Sequence, residues 1–263
     1  MKITVLTENT ACRDDVISEH GLSIYIETKK HKILFDSGQS DAFLKNAERL
    51  GVDISKVDIA VLSHGHYDHG GGLKAFLKAN NIANVYVNKF AFGKHYNQNG
   101  KYIGLDCELL NSNRLIFTDD ELKIDGELSL YSCNQCKREY KTDPFGLCVE
   151  SKGIICPDDF LHEQYLLVKD EDKRILFSGC SHKGVLNIVK WFSPDVLVGG
   201  FHFSKIEVNN DGKERLSRYA QELLSYPIKY YTGHCTGDAQ YAFLKGIMAD
   251  RLEYICSGRV LEI

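Results

Sequence analysis

No stretch of this chain is apolar for long enough to cross a bilayer, which sets membrane-spanning functions aside. No basic stripe runs through it either. Its 32 Lys and Arg are dispersed among 36 Asp and Glu, for a net charge of −4. That balance argues against nucleic acid as the main partner and leaves a small-molecule substrate as the expectation. The start, Met1-Lys2-Ile3-Thr4-Val5-Leu6, is short and alternating, and is expected to be a first strand rather than an export leader. Cysteine, by contrast, is abundant, with nine residues, an odd number. Without an export signal these are expected to be reduced thiols, metal ligands or redox groups in a cytoplasmic protein. Nothing in the composition fixes an oligomeric state.

With 263 residues, 43% of them hydrophobic and 11% aromatic, the chain can build a real core in one large domain. A weak internal repeat suggests how. Ile24–Thr28 passes through a charged turn into Ile33-Leu34-Phe35-Asp36-Ser37-Gly38, and Leu166–Asp170 passes through another into Ile175-Leu176-Phe177-Ser178-Gly179-Cys180. Each reads as a β-hairpin followed by a helix and then a buried strand led by aspartate, Asp58–Leu62 and Asp195–Gly199. The expectation is an α/β protein of two similar β/α halves facing each other. Helices are expected at Asp41–Leu50, Leu73–Asn80, Lys183–Phe192, Lys213–Ser225 and Ala239–Met248. The stretch from about 89 to 161 fits neither half and reads as a cysteine-containing insertion beside the site within a single 1–263 domain.

The most informative segment is Ser63-His64-Gly65-His66-Tyr67-Asp68-His69-Gly70-Gly71-Gly72, which directly follows the apolar run Ile59–Leu62. Three imidazoles and a carboxylate within six positions are the donor set of zinc or iron, with reach of about 2.0–2.2 Å. In extended chain His64 and His66 share a side and can share one ion. A turn after them brings Asp68 and His69 to a second ion.

This run resembles the H-x-H-x-D-H signature of the metallo-β-lactamase superfamily at all four positions. Gly233-His234 after a strand-like segment resembles that superfamily's last metal ligand. Ser178–Gly184, Gly199-Gly200-Phe201-His202 and Thr232–Gly237 resemble a branch named for a dihydropterin-forming, ribofuranosylaminobenzene-phosphate synthase. The resemblance implies a four-layer αββα sandwich with a dinuclear site, zinc being the first expectation and iron or manganese the alternatives. It implies His64, His66 and His182 on the first ion, and Asp68, His69 and His234 on the second. His162 is the competing third ligand of the first ion, disfavoured because Ser181-His182-Lys183-Gly184 matches the branch. Cys180 stands where many members carry a bridging aspartate, and either binds or points away. Asp36 resembles a carboxylate supporting a ligand imidazole.

Asp68 and His202 are the catalytic candidates. Asp68 can take a proton from water; His202, at a strand end, can act as an acid or oxyanion donor. Ser181, Thr236 and Gly237 are candidate donors to a phosphate or carboxylate. His20, His31 and His95 show no partner pattern and read as surface groups. Cys133, Cys136, Cys148 and Cys156 form a candidate additional zinc or iron–sulfur site in the insertion. The functional expectation is a hydrolase using metal-activated water on a small anionic ester or phosphate. The alternatives are a transferase of the branch's synthase type and an iron-bearing redox or sensing protein.

Overall fold

A computed structural model describes all residues, Met1–Ile263. The first half runs through strands β1 (Lys2–Thr7), β2 (Ser23–Glu27) and β3 (Lys32–Phe35), helix α1 (Ala42–Arg49), β4 (Ile59–Val61), helices α2 (Tyr67–Gly70) and α3 (Leu73–Ala79), and β5 (Asn84–Asn88). The middle of the chain contributes β6 (Lys94–Tyr96), β7 (Leu115–Thr118), β8 (Glu121–Lys123), β9 (Leu128–Tyr131), β10 (Cys148–Ser151) and β11 (Ile154–Pro157). The second half follows with β12 (Tyr165–Asp170), β13 (Lys173–Phe177), α4 (Val185–Phe192), β14 (Val196–Val198), α5 (Asn210–Leu224), β15 (Lys229–Thr232), α6 (Asp238–Met248), β16 (Leu252–Tyr254) and β17 (Val260–Glu262).

Two seven-stranded mixed sheets result, ordered β17-β1-β2-β3-β4-β5-β7 and β16-β15-β14-β13-β12-β9-β8. Strand alternation sorts the side chains. Ile24, Ile26, Ile33, Phe35, Ile59 and Val61 from one sheet meet Leu166, Val168, Ile175, Phe177, Val196 and Val198 from the other in a core between the sheets. The intervening residues face outward onto helices. Leu34 and Ala60 pack with Phe43, Ala47 and Phe76 of α1 and α3. Leu176 and Leu197 pack with residues of α4, α5 and α6. The result is the four-layer αββα sandwich that the family resemblance implies.

The internal repeat is equally visible in register. In the first half β3 pairs parallel to β4 as Ile33–Ile59, Leu34–Ala60 and Phe35–Val61. In the second, β13 pairs parallel to β14 as Ile175–Val196, Leu176–Leu197 and Phe177–Val198. Phe35 and Phe177, equivalent in the two hairpins, touch across the core with ring centroids 5.8 Å apart.

The stretch from about 89 to 161 differs from a single insertion. Its strand β7 closes the first sheet and β8 and β9 extend the second, while β6, β10 and β11 form a separate three-stranded sheet. The sequence signal misled because β7 to β9 are only three or four residues long, and half of β7 and most of β8 are exposed. Helix α5 begins three residues before the expected start because the Asn209 side chain accepts the Gly212 N–H at 3.0 Å and caps it. No helix is long and apolar enough to cross a membrane.

Removing the ring that links the two halves leaves a cavity no neighbour can fill. Phe177→Ala should cost about 3–5 kcal/mol of unfolding free energy. Urea denaturation measures this, and a loss under about 1 kcal/mol would show that the inter-sheet core is not packed as described.

Candidate metal centre

The strand ends of both halves point to one edge of the sandwich, and the chain leaves them by sharp turns. Asp36, Ser181, His202 and His234 all sit in the left-handed backbone region, at φ of 59°, 58°, 56° and 50°. Non-glycine residues hold such angles at a cost of order 1 kcal/mol or more each, and only where the surroundings fix them.

Asp36 follows β3 and is 1% exposed. Its Oδ1 accepts the Ser63 N–H at 2.7 Å. Its Oδ2 accepts the Ser63 hydroxyl at 2.7 Å and faces His69 Nδ1 at 2.7 Å. Because Ser63 gives its proton to Asp36, its oxygen accepts from His64 Nδ1, 2.8 Å away. One carboxylate thus orients His64 and His69 together. His234 is fixed in the same manner, its Nδ1 2.9 Å from Asn9 Oδ1, while its backbone N–H donates to the buried Glu8 carboxylate. The segment bearing His182 is held by Glu163, which accepts the N–H groups of His182 at 2.6 Å and Lys183 at 2.9 Å.

With the Nδ1 protons of His64, His69 and His234 committed outward, their Nε2 lone pairs turn inward, while the buried Nδ1 of His182 has no partner. His64 Nε2 and His182 Nε2 are 3.3 Å apart, His69 Nε2 and His234 Nε2 3.1 Å. His64, His66 and His182 place ligand atoms within 4.8 Å of one another; so do His64, His69 and Cys180, and so do His20, Asp68 and His234. Asp68 Oδ2 is 3.3 Å from His234 Nε2 and 3.8 Å from His69 Nε2. Buried acceptor nitrogens facing each other across little more than 3 Å need a cation, or a shared proton in its place. The donor set of imidazole, carboxylate and one thiol fits a borderline divalent metal.

Charge agrees with that reading. Burial and the neighbouring imidazoles hold His64 well below the usual histidine range, and His66 and His182 are likewise held well below it by burial first. Burial also pushes His202 and His234 down to about 4. Burial opposes ionisation of Asp68, but His69, His20 and His234 outweigh it and hold the carboxyl well below its ordinary range. Burial works against a charge on His69 too, yet Asp36 and Asp68 raise its pKa. Burial and the Cys235 thiol keep Cys180 protonated in the ion-free chain.

All six expected ligands are thus brought together, and Cys180 points inward, its sulfur 3.2 Å from His69 Nε2. His162 is not in this group facing the interior: its Nδ1 accepts the Gly65 N–H at 2.8 Å and its Nε2 faces Asp158 at 3.3 Å. His202 stacks edge-on against His182, ring centroids 4.3 Å apart, on the wall of a cleft of about 440 Å³ that also exposes Asp68, His234, Tyr67 and Lys205.

Several expectations need correction. His95 is no surface group; it is 1% exposed and bonded to Asp158. His20 is exposed but sits at the site mouth, 3.3 Å from Asp68, and His31 is clamped between Asp58 and Asp125. The hydroxyls of Ser181 and Thr236 are turned inward, to Ser178 and Thr232. Cys133, Cys136, Cys148 and Cys156 build no metal site, for no three of these thiols share ligand distance. Cys148 pairs with Pro157 and Cys156 with Val149 on the β10–β11 hairpin, so the two point to opposite faces. Glu8, Asn9, Glu163 and Asp158 were not foreseen; each acts through a contact distant in sequence, which local pattern does not register.

Comparison with known proteins agrees. The family model described as metallo-beta-lactamase superfamily matches residues 18–124. An uncharacterised protein of Methanocaldococcus jannaschii is 32% identical, over 89% of this chain and 90% of its own. The 7,8-dihydropterin-6-methyl-4-(β-D-ribofuranosyl)-aminobenzene-5'-phosphate synthase of the same organism is 28% identical over all of this chain and 96% of its own. A crystal structure described as a metal-dependent hydrolase of the β-lactamase superfamily superposes with a TM-score of 0.83 at 28% identity, covering 100% of this chain and 99% of that one. The chain belongs to the metallo-β-lactamase superfamily.

A histidine with a lowered pKa binds its proton more readily in the unfolded chain, so it favours unfolding once the pH drops below its unfolded value. His162, His202 and His234 are all shifted down to about 4. Their contribution is complete above about pH 6.5 and is lost as the pH falls toward 4. His69 and His31, where burial is outweighed by neighbouring carboxylates that raise the pKa, work in the other direction. The metal-free chain should therefore show a falling urea midpoint from about pH 7 to about pH 4; a flat profile would contradict the burial of these neutral rings.

Proposed function

We propose that the chain is a dinuclear metal-dependent hydrolase acting on a small anionic ester or phosphate. The observation that carries this reading is the convergence of His64, His66 and His182 beside Asp68, His69 and His234, with a cleft open to Asp68. Divalent cations at these residues, zinc first among the candidates, would supply Lewis-acid charge and a lowered water pKa. The protein's own groups do the rest. Asp68 stays ionised and accepts a proton at Oδ2 from a water entering the cleft. His202 is neutral at physiological pH, so it acts as an N–H donor to developing negative charge rather than as a charged acid. Lys205 on the cleft wall draws an anionic substrate in.

A second reading, a transferase of the synthase type, is favoured by the similarity to the M. jannaschii synthase over the full length of this chain. Its name describes a product that joins a dihydropterin to a ribofuranosylaminobenzene phosphate, and on this reading the same cleft would have to take both parts.

The two readings separate on a panel of phosphomonoesters, phosphodiesters and carboxylic esters set beside a dihydropterin that carries pyrophosphate as leaving group on its methyl carbon, with a ribofuranosylaminobenzene phosphate as the acceptor, each with added zinc or manganese. Hydrolysis of an ester supports the first; coupling without ester hydrolysis supports the second. In either case Asp68→Asn should lower kcat by about 10²–10⁴-fold with the fold retained. Full activity in that variant would remove Asp68 from its assigned role.

A further inference from the structure

Behind the candidate first ion lies a buried group of side chains with no assigned part so far. His95 on β6, Asp158 just after β11 and His162 ahead of β12 share with His66 a region in which all ligand atoms fall within 4.8 Å. His95, Asp158 and His162 are 1%, 6% and 1% exposed.

Their hydrogen bonds have a fixed direction. The Gly65 N–H donates to His162 Nδ1 at 2.8 Å, so the His162 proton sits on Nε2, 3.3 Å from Asp158 Oδ2. His95 Nδ1 lies 2.8 Å from the same oxygen, and a carboxylate only accepts, so His95 donates. Asp158 Oδ1 takes the Phe160 N–H at 2.7 Å. Burial opposes the charge on Asp158, but His162 and His95 outweigh it and hold the carboxyl far below its ordinary range.

Gly65 lies between two candidate ligands, His64 and His66, and it has no slack. A Cβ there would stand 2.1 Å from the Ala91 carbonyl oxygen. The loop is thus pressed against Ala91 on one side and bonded to His162 on the other. His162 has both ring nitrogens committed, although its ring centroid is only 5.1 Å from that of His66 and 5.9 Å from that of His64. A four-ligand cage for an additional cation would need these bonds to rearrange.

We infer that Asp158, acting through His162 and the Gly65 amide, is a positioning residue: it sets the spacing and aim of His64 and His66, and withholds His162 from the ion as a competing ligand. This rests on the reading that His64, His66 and His182 hold that ion. Partners that orient ligand imidazoles from behind typically govern about 10–100-fold in metal affinity.

The test is zinc binding by the full chain in competition with a chromophoric chelator. Asp158→Asn replaces one acceptor oxygen with an NH₂ group that meets an N–H donor head-on. It should weaken one of two zinc ions by about 10–100-fold and leave the other at its wild-type affinity. His162→Gln keeps an acceptor within reach of the Gly65 N–H and should bind closer to wild type than His162→Leu, which has none. A purely structural role would lower both ions together and make Gln and Leu equal, and either result overturns the inference. Two ions in the wild type with unchanged affinities in Asp158→Asn overturns it while leaving the metal centre in place. Fewer than two ions in the wild type overturns the metal centre with it, and three would show that the His95–Asp158–His162 group is itself a cation site.

Discussion

The carboxylate of Asp36 is the constraint on which the rest of the site depends. It is buried at the end of β3 and accepts three hydrogen bonds, from Ser63 N–H, Ser63 O–H and His69 Nδ1. Through the Ser63 oxygen it also sets the tautomer of His64. One group therefore aims a ligand at each of the two candidate ions. An unpaired carboxylate at that depth would be costly, so the H-x-H-x-D-H loop has little freedom to settle elsewhere. Charge-assisted bonds of this kind outweigh the backbone strain of Asp36 at φ 59°.

The sandwich makes such convergence possible. Each half supplies an antiparallel hairpin and a parallel strand whose ends open to the same edge. The first half delivers His64, His66, Asp68 and His69; the second delivers Cys180, His182 and His234. Gln164 stitches the two together beneath the site, its N–H donating to Ser63 O at 2.7 Å and its side-chain amide to Leu62 O at 2.8 Å. Neither half contains a complete site, so the packing of Phe35 on Phe177 and the chemistry of the cleft are one problem.

Much of this was legible in the sequence. The two facing β/α halves follow from strand alternation and from two hairpins that repeat the same ending, Ile-Leu-Phe; the four αββα layers were what the family resemblance implied. The candidate ligands were legible as a group because His64 to His69 are local and because His182 and His234 resemble a known pattern in short flanking motifs. What escaped is non-local. Asp158 gives no signal until β6 and β10 bring His95 to it. Glu163 reads as one more acidic residue until its carboxylate meets the turn after Cys180. The four insertion cysteines show the opposite error: spacing alone suggested a cage, but hairpin geometry puts Cys148 and Cys156 on opposite faces. Likewise β7 to β9 were assigned to an insertion because they are only three or four residues long, too short for a strand period to stand out.

The central claim is that two cations sit where strand ends of the two halves meet. A crystal of the zinc-loaded protein, with anomalous difference maps recorded at the zinc edge, tests it most directly. The account predicts two peaks, one among His64, His66 and His182 and one among Asp68, His69 and His234. A single peak, or density centred instead on Asp158 and His95, would contradict it.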